Sequence, residues 1–373
     1  MPRQQGKRDL LRRGIRRIGT KESGFRYVTA SGARVTDAKT LERIASLKVP
    51  PAWREVRIAT RPRAPLQAIG LDSKGRTQYR YHPSFRRKRE DEKYRRVVGF
   101  GEVLPRLRAR VSADLAKEGL GRERVLATIV RLIDQGFFRV GNDKSAKSEA
   151  TFGLTTVRGD HVTVQGGKVT FDFVGKWRKA HKRSLTDPAV AKVVRELKSR
   201  DADGELFRWY EDDGRVVDVK DRHVNEYIQS IIGARFTAKD FRTWAGTLVA
   251  SVLLGNKGPA ETKKARKKKL KEAIDETAML LGNTPAVSRS SYICPRLLHD
   301  YEAGHDFAPM RRAVSPIPKK GNSAAEKALL RFLRETIADR RLGDRRRRAT
   351  SAGYRTNRRG ALGRRASETP SDS

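Results

Sequence analysis

Residues 162–177 read VTVQGGKVTFDFVGKW, and the fold class turns on this stretch. Val162 and Val164, then Val169, Phe171 and Phe173, alternate with polar residues, the period of strands with one buried face. Gly166-Gly167 separates the two runs by the two residues that a tight hairpin turn requires. The second run ends at Gly175-Lys176, which marks another tight turn. The chain beyond it is helical in pattern. Thr186-Asp187-Pro188 opens a helix with Val190, Val193, Val194 and Leu197 on one face. Thr237-Ala238-Lys239-Asp240 has the spacing of a capping box. Residues 259–281 form a further helix carrying KKARKKKLK, and 322–340 one more. Before the hairpin, Val125, Ile129, Leu132 and Ile133 recur at helical spacing. A β-hairpin set in a mainly α unit is the expected result.

The N-terminal part reads differently. GFRYVTA, EVRIAT, LQAIGLD and TQYRY are short strand-like runs, with a helix near Asp37 to Leu47 and a turn at Asp72-Ser73-Lys74-Gly75. Residues 83–118 are helical and heavily charged. The expected class is therefore α+β, with five segments: a disordered basic arm over 1–20, a β-rich domain over 21–82, a mainly α domain over 83–310, a helical extension over 311–340 and a disordered basic tail over 341–373.

The 373 residues contain 83 Lys and Arg against 43 Asp and Glu, a net charge of +40. Such an excess repels itself unless a polyanion is near, and nucleic acid is the obvious one because each neutralised phosphate releases counterions. A non-catalytic DNA-packaging protein would share this charge. Cys294 is the one cysteine and the six histidines are scattered, so neither a disulfide framework nor a metal site is expected, and no cofactor. No apolar stretch approaches a membrane span and the basic N-terminus lacks a signal-peptide core. A cytoplasmic, nucleoid-associated location is expected.

Four residues stand out from their surroundings: Arg139 in FFRVGND, Lys176 in FVGKW, Arg242 in KDFRTWAG and Tyr292 in VSRSSYICP. Singly each has an ordinary reading, as a solvated arginine, a turn lysine, a buried ion-pair partner and a half-buried tyrosine. Together they match the needs of in-line attack on a phosphodiester. That reaction wants a nucleophile, an acid for the departing oxygen and cations on the non-bridging oxygens, with position and charge as the main contributions. Two arginines can hold phosphate oxygens and stay charged. A lysine among cations gives up its proton more readily. A phenol is a poor nucleophile near neutral pH unless cations surround it.

The ordered string Arg139, Lys176, Arg242 and GNTPAVSRSSY ending at Tyr292 resembles the type IB DNA topoisomerases, in particular their poxvirus-like and bacterial branch, over roughly residues 20–310. The resemblance implies that Arg139 and Arg242 bind the scissile phosphate, that Lys176 protonates the 5′-oxygen and that Tyr292 forms a 3′-phosphotyrosyl bond. It also implies a clamp around double-stranded DNA, formed by the two domains of a monomer and working without ATP or metal. Many members carry a histidine where this chain has Asn283. An amide can donate a hydrogen bond there but cannot carry charge, and Asn283 could instead be a helix C-cap before Thr284-Pro285. DSKGRTQYRYHP resembles the family's DNA-contacting strand, with Gln78, Tyr79 and Tyr81 at the contact positions; an aromatic pair half-buried in a small sheet is the alternative. A tyrosine recombinase shares the catalytic logic, but usually has a histidine three residues before the second arginine, where this chain has Lys239.

Overall fold

The computed structural model describes residues 2–141, 152–175, 179–200, 204–311 and 324–335. They fall into two compact units, Met1–Lys93 and Tyr94–Ser373. The class is α+β, with a small β-rich N-terminal region and a larger, mostly helical domain.

In the first unit, β1 (Ile15–Thr20), β2 (Gly24–Val28), β3 (Arg54–Ile58), β4 (Leu66–Leu71) and β5 (Thr77–Tyr81) make an antiparallel sheet in the order β2-β1-β3-β4-β5. Strand alternation sends neighbouring residues to opposite faces, and both faces are covered. Ile58 and Ala68 pack with Ile15, Ile44 and Val56 beneath α2 (Ala38–Ser46). Ala59 and Ile69 pack with Leu66 and with Leu10 of a helix, α1 (Pro2–Arg13).

That helix corrects an expectation. Residues 1–20 are not a disordered basic arm: 2–13 are helical and 15–20 are an inner strand of the sheet. The many arginines hide a sparse apolar set. Leu10 and Ile15 are 5% and 4% exposed, and burying a side chain of that size contributes roughly 1.5–3 kcal/mol.

In the second unit, the part of α3 (Pro83–Leu115) from Tyr94 onward and α4 (Arg122–Gly136) precede a three-stranded sheet of β6 (Val162–Gln165), β7 (Lys168–Gly175) and β8 (Lys179–Thr186). The expected hairpin is β6–β7, closed at Gln165↔Lys168 around Gly166, whose φ of +53° suits glycine. Strand β8 is not apparent in the sequence, because its described core-facing positions opposite Phe171 and Val169 are Arg183 and Leu185, and an arginine breaks the apolar alternation. The rest comprises α5 (Pro188–Arg200), the ribbon β9 (Arg208–Tyr210) and β10 (Val216–Asp218), α6 (Asp221–Ile232), α7 (Ala238–Lys257), α8 (Lys263–Leu281) and α9 (Pro295–Glu302). Helix α7 is the hub, buried along almost its whole length. At its start the Asp240 carboxylate accepts from the Thr237 N–H at 2.8 Å and from Arg96 Nη2 at 2.7 Å.

A last helix, α10 (residues 324–335), lies within the expected extension but is no appendage. Leu329 and Leu333 are fully buried in the same core as α7. Glu326 accepts from Trp244 Nε1 at 3.2 Å and from Arg108 at 2.9 and 3.0 Å. A domain boundary at 310 therefore cuts through one core. The tail over 341–373 lies outside the described residues.

Candidate active site

Two helix ends build the site. Helix α4 stops at Gly136 because Phe137 takes a left-handed conformation, φ 55°. Helix α8 stops at Leu281 because Gly282 does the same, φ 63°. Each end leaves carbonyls without intrahelical donors and with partial negative charge. Three arginines from three other places in the chain fill these acceptors. Arg139, three residues past the end of α4, donates from Nη2 to Gly282 O at 2.8 Å and to Asn283 Oδ1 at 2.6 Å. Arg242, on α7 and 5% exposed, donates to Leu281 O at 2.8 Å and to Phe137 O. Arg183, on β8, donates to Gly136 O at 2.8 Å and to Leu280 O at 2.6 Å.

Among the described residues no carboxylate lies within ion-pair distance of any of the three. The carbonyls offset their charge only in part. Burial and then repulsion by Arg242 bring Arg139 down to about 10, and burial followed by Arg242 and Arg139 brings Arg183 to about 10. Burial lowers Arg242 as well. A guanidinium stays protonated at any physiological pH, so all three remain cations. The small cavity between them has Phe138, Phe152 and Phe173 in its wall, so charges act there with little screening.

Arg139 is held in place by its backbone. Its carbonyl accepts from the Leu154 N–H at 3.0 Å, and the Thr155 N–H reaches Val140 O at 2.7 Å. This crossing needs Gly141 and Gly153, since a Cβ on Gly153 would lie 2.4 Å from Gly141 Cα.

Asn283 is 6% exposed. Its backbone N–H, not its side chain, completes the end of α8 by donating to Ala278 O at 2.8 Å, a Schellman-type closure. The amide is thus released from capping. Arg139 claims Oδ1 and fixes its orientation, which leaves Nδ2 buried with no hydrogen-bond partner; Arg242 Nε is in the same position. Buried donors without partners are costly, and here two of them belong to residues lining one site.

Tyr292 ends a π-turn over Ser288–Tyr292, and the Arg242 guanidinium lies 5.0 Å from its ring centroid. The turn is seated on α7. Thr247 Oγ1 reaches Tyr292 O at 3.3 Å and accepts from the Cys294 N–H at 3.1 Å. Gly246 permits the approach, since a Cβ there would meet Tyr292 O at 2.9 Å.

The fold therefore brings together Arg139, Arg242, Asn283 and Tyr292. Lys176 lies outside the described residues, between strands paired up to Gly175 and Lys179. In the first unit, Tyr79 and Tyr81 stack at 6.1 Å and pack against the cluster around Leu10, while Gln78, on the other face of β5, donates to Asp72 at 2.9 Å. All five β5 residues are partly exposed, and β5 is an edge strand. Sequence reasoning misses Arg183, which sits in a strand that its own presence disguises.

A family model described as the catalytic core of eukaryotic DNA topoisomerase I matches residues 82–302, and one for the N-terminal domain of bacterial DNA topoisomerase IB matches residues 24–72. DNA topoisomerase 1B of Acanthamoeba polyphaga mimivirus is 32% identical over 314 residues, covering 82% of this chain and 93% of the viral one. This chain belongs to the type IB DNA topoisomerases. The vaccinia virus (strain Copenhagen) DNA topoisomerase 1B is 26% identical over 233 residues, covering 62% of this chain and 70% of its own, and DNA topoisomerase 1 of Mycosarcoma maydis is 26% identical over 239 residues, covering 58% and 23%. As a type IB topoisomerase the chain is an enzyme that acts on DNA, and all the clustered residues fall inside the matched core. Among the described residues no helix is long and apolar enough to cross a membrane, and no group of three or more His, Cys, Asp or Glu could hold a metal ion.

Proposed function

We propose that this topoisomerase relaxes supercoiled DNA by reversible single-strand transesterification at Tyr292. The phenol oxygen bonds to the scissile phosphorus as the bond to the 5′-oxygen breaks, giving a 3′-phosphotyrosyl ester. The phenol proton passes to solvent, and Lys176 supplies the proton taken by the 5′-oxygen. Arg139, Arg242 and the amide of Asn283 hold the non-bridging oxygens while negative charge concentrates there. After the free end rotates, the 5′-hydroxyl attacks the ester and the steps reverse. The energy comes from torsional strain in the DNA, so ATP is not required, and side chains supply the positive charge.

The observation that carries this reading is the set of guanidiniums anchored on helix-end carbonyls, without carboxylates, beside Tyr292. A structural arginine is normally neutralised; these keep their charge for an anion. The two domains would act as a clamp on the duplex, with β5 laid edge-on so that Gln78, Tyr79 and Tyr81 all reach it. A monomer in the cytoplasm, associated with the nucleoid, fits this activity. The test is relaxation of negatively and of positively supercoiled plasmid in EDTA without ATP. Both should relax; retention of either supercoiled form would overturn the proposal.

Asn283→Ala should slow single-turnover cleavage by roughly 10²-fold or somewhat more, the usual result of losing one oxyanion donor. Its melting temperature should stay near that of the parent, because the backbone makes the helix end. Asn283→His should keep most of the activity, since one ring nitrogen can accept from Arg139 while the other donates. Asn283→Asp should be worse than Ala, because a carboxylate would neutralise Arg139. A normal cleavage rate in a stable Ala variant would remove Asn283 from the site.

A further inference from the structure

We propose that Arg183 is a positioning residue for this reaction: its guanidinium fork ties the end of α4 to the end of α8 and so sets the spacing between Arg139 and Asn283. The inference rests on the proposed transesterification. Its basis is geometric. Gly136 O and Leu280 O belong to helices far apart in sequence, and one guanidinium reaches both, at 2.8 and 2.6 Å. Each contacted carbonyl lies three residues before a site residue, Gly136 before Arg139 and Leu280 before Asn283. The planar fork of arginine suits two acceptors in different directions, whereas an ammonium is a single point charge.

The charge at this position also argues against a simple staple. Arg183 is largely buried beside two other cations, and no described carboxylate neutralises it. Its guanidinium carbon lies 6.0 Å from the Phe138 ring centroid, in the wall of the same cavity. A buried charge without a counter-ion costs stability. A neutral donor could link two carbonyls without that penalty. A third cation at this place is sensible where an anion enters, and it is then both brace and source of field.

The test compares parent, Arg183→Gln and Arg183→Lys in single-turnover cleavage at saturating enzyme, with noncovalent DNA affinity and melting temperature measured on the same preparations. Arg183→Gln should cleave about 10²-fold more slowly, the scale expected of a misplacement near 1 Å. DNA affinity should change by no more than about threefold, because many phosphate contacts share the binding. Arg183→Lys, which keeps the charge but not the fork, should recover only part of the rate and remain about tenfold down. In an Asn283→Ala background the Arg183→Gln defect should shrink, because both changes act on one arrangement. Full activity in Arg183→Lys would overturn the assignment. So would additive defects in the double variant, a fall in affinity with a normal saturated rate, or failure of both single variants to fold. If the parent enzyme forms no covalent adduct, the proposed function falls and this inference with it; if the parent forms the adduct and the Arg183 variants match it, only this inference falls.

Discussion

Tyr292→Phe is expected to bind DNA as the parent enzyme does and to form no covalent adduct with it. The substitution removes one oxygen atom. It leaves the ring against Arg242, and the π-turn is held through backbone atoms: Thr247 Oγ1 to Tyr292 O, Cys294 N–H to Thr247 Oγ1, and Ile293 N–H to Ser288 O at 2.9 Å. The fold therefore has no reason to change, and the proposed phosphate site of Arg139, Arg242 and Asn283 stays intact. Only the nucleophile is lost, so nicking and relaxation should both disappear. Denaturing gels of enzyme mixed with DNA labelled at the 5′ end of the cleaved strand read the adduct directly, while a mobility shift without detergent reads binding. Persistent relaxation by a clean Phe preparation would move the nucleophile to another residue. The same pair of assays separates this enzyme from a DNA-packaging protein, which would shift DNA and leave no adduct even as the parent.

The second large effect concerns Lys176. If it gives its proton to the leaving 5′-oxygen, Lys176→Ala should slow cleavage of ordinary DNA by about 10²–10⁴-fold, the range of general acid–base catalysis. A 5′-bridging phosphorothiolate replaces that oxygen with sulfur, which departs as a stable thiolate and needs no proton. On this substrate the Ala variant should approach the parent rate. The comparison cancels effects on folding and DNA binding, because both substrates meet the same protein. Equal defects on the two substrates would make Lys176 an electrostatic support and leave the acid unassigned.

Much of the fold is legible in the residues alone. Period-two alternation is a local property, so the hairpin at 162–173 and the sheet strands at 24–28, 54–58, 66–71 and 77–81 can be read from neighbouring residues. Asp37 and Thr237 are readable as helix starts because capping involves residues three apart. The identities of Arg139, Arg242, Asn283 and Tyr292 come from short motifs in a fixed order, and those motifs also name the family. Local rules fail where composition masks burial. Leu10 and Ile15 among arginines look like part of a solvated arm, and Arg183 in the core-facing row of β8 erases the strand's pattern.

Residue order and local pattern name the family, the candidate residues and most of the local elements around them. The tertiary structure alone decided how the charges are kept available. The arginines are satisfied by carbonyls 39 to 143 residues away, Arg242 on Leu281 and Arg139 on Gly282, and such pairings have no sequence signature because any residue type can supply a carbonyl. It also decided that the Asn283 amide is free to donate, since that depends on the backbone taking over the end of α8 and on Arg139 fixing Oδ1. Both outcomes have one physical cause. A helix end offers several acceptors at one point in space, and only the packing of α4 against its neighbours and of α8 against α7 brings two such ends within reach of the same two guanidiniums, those of Arg183 and Arg242.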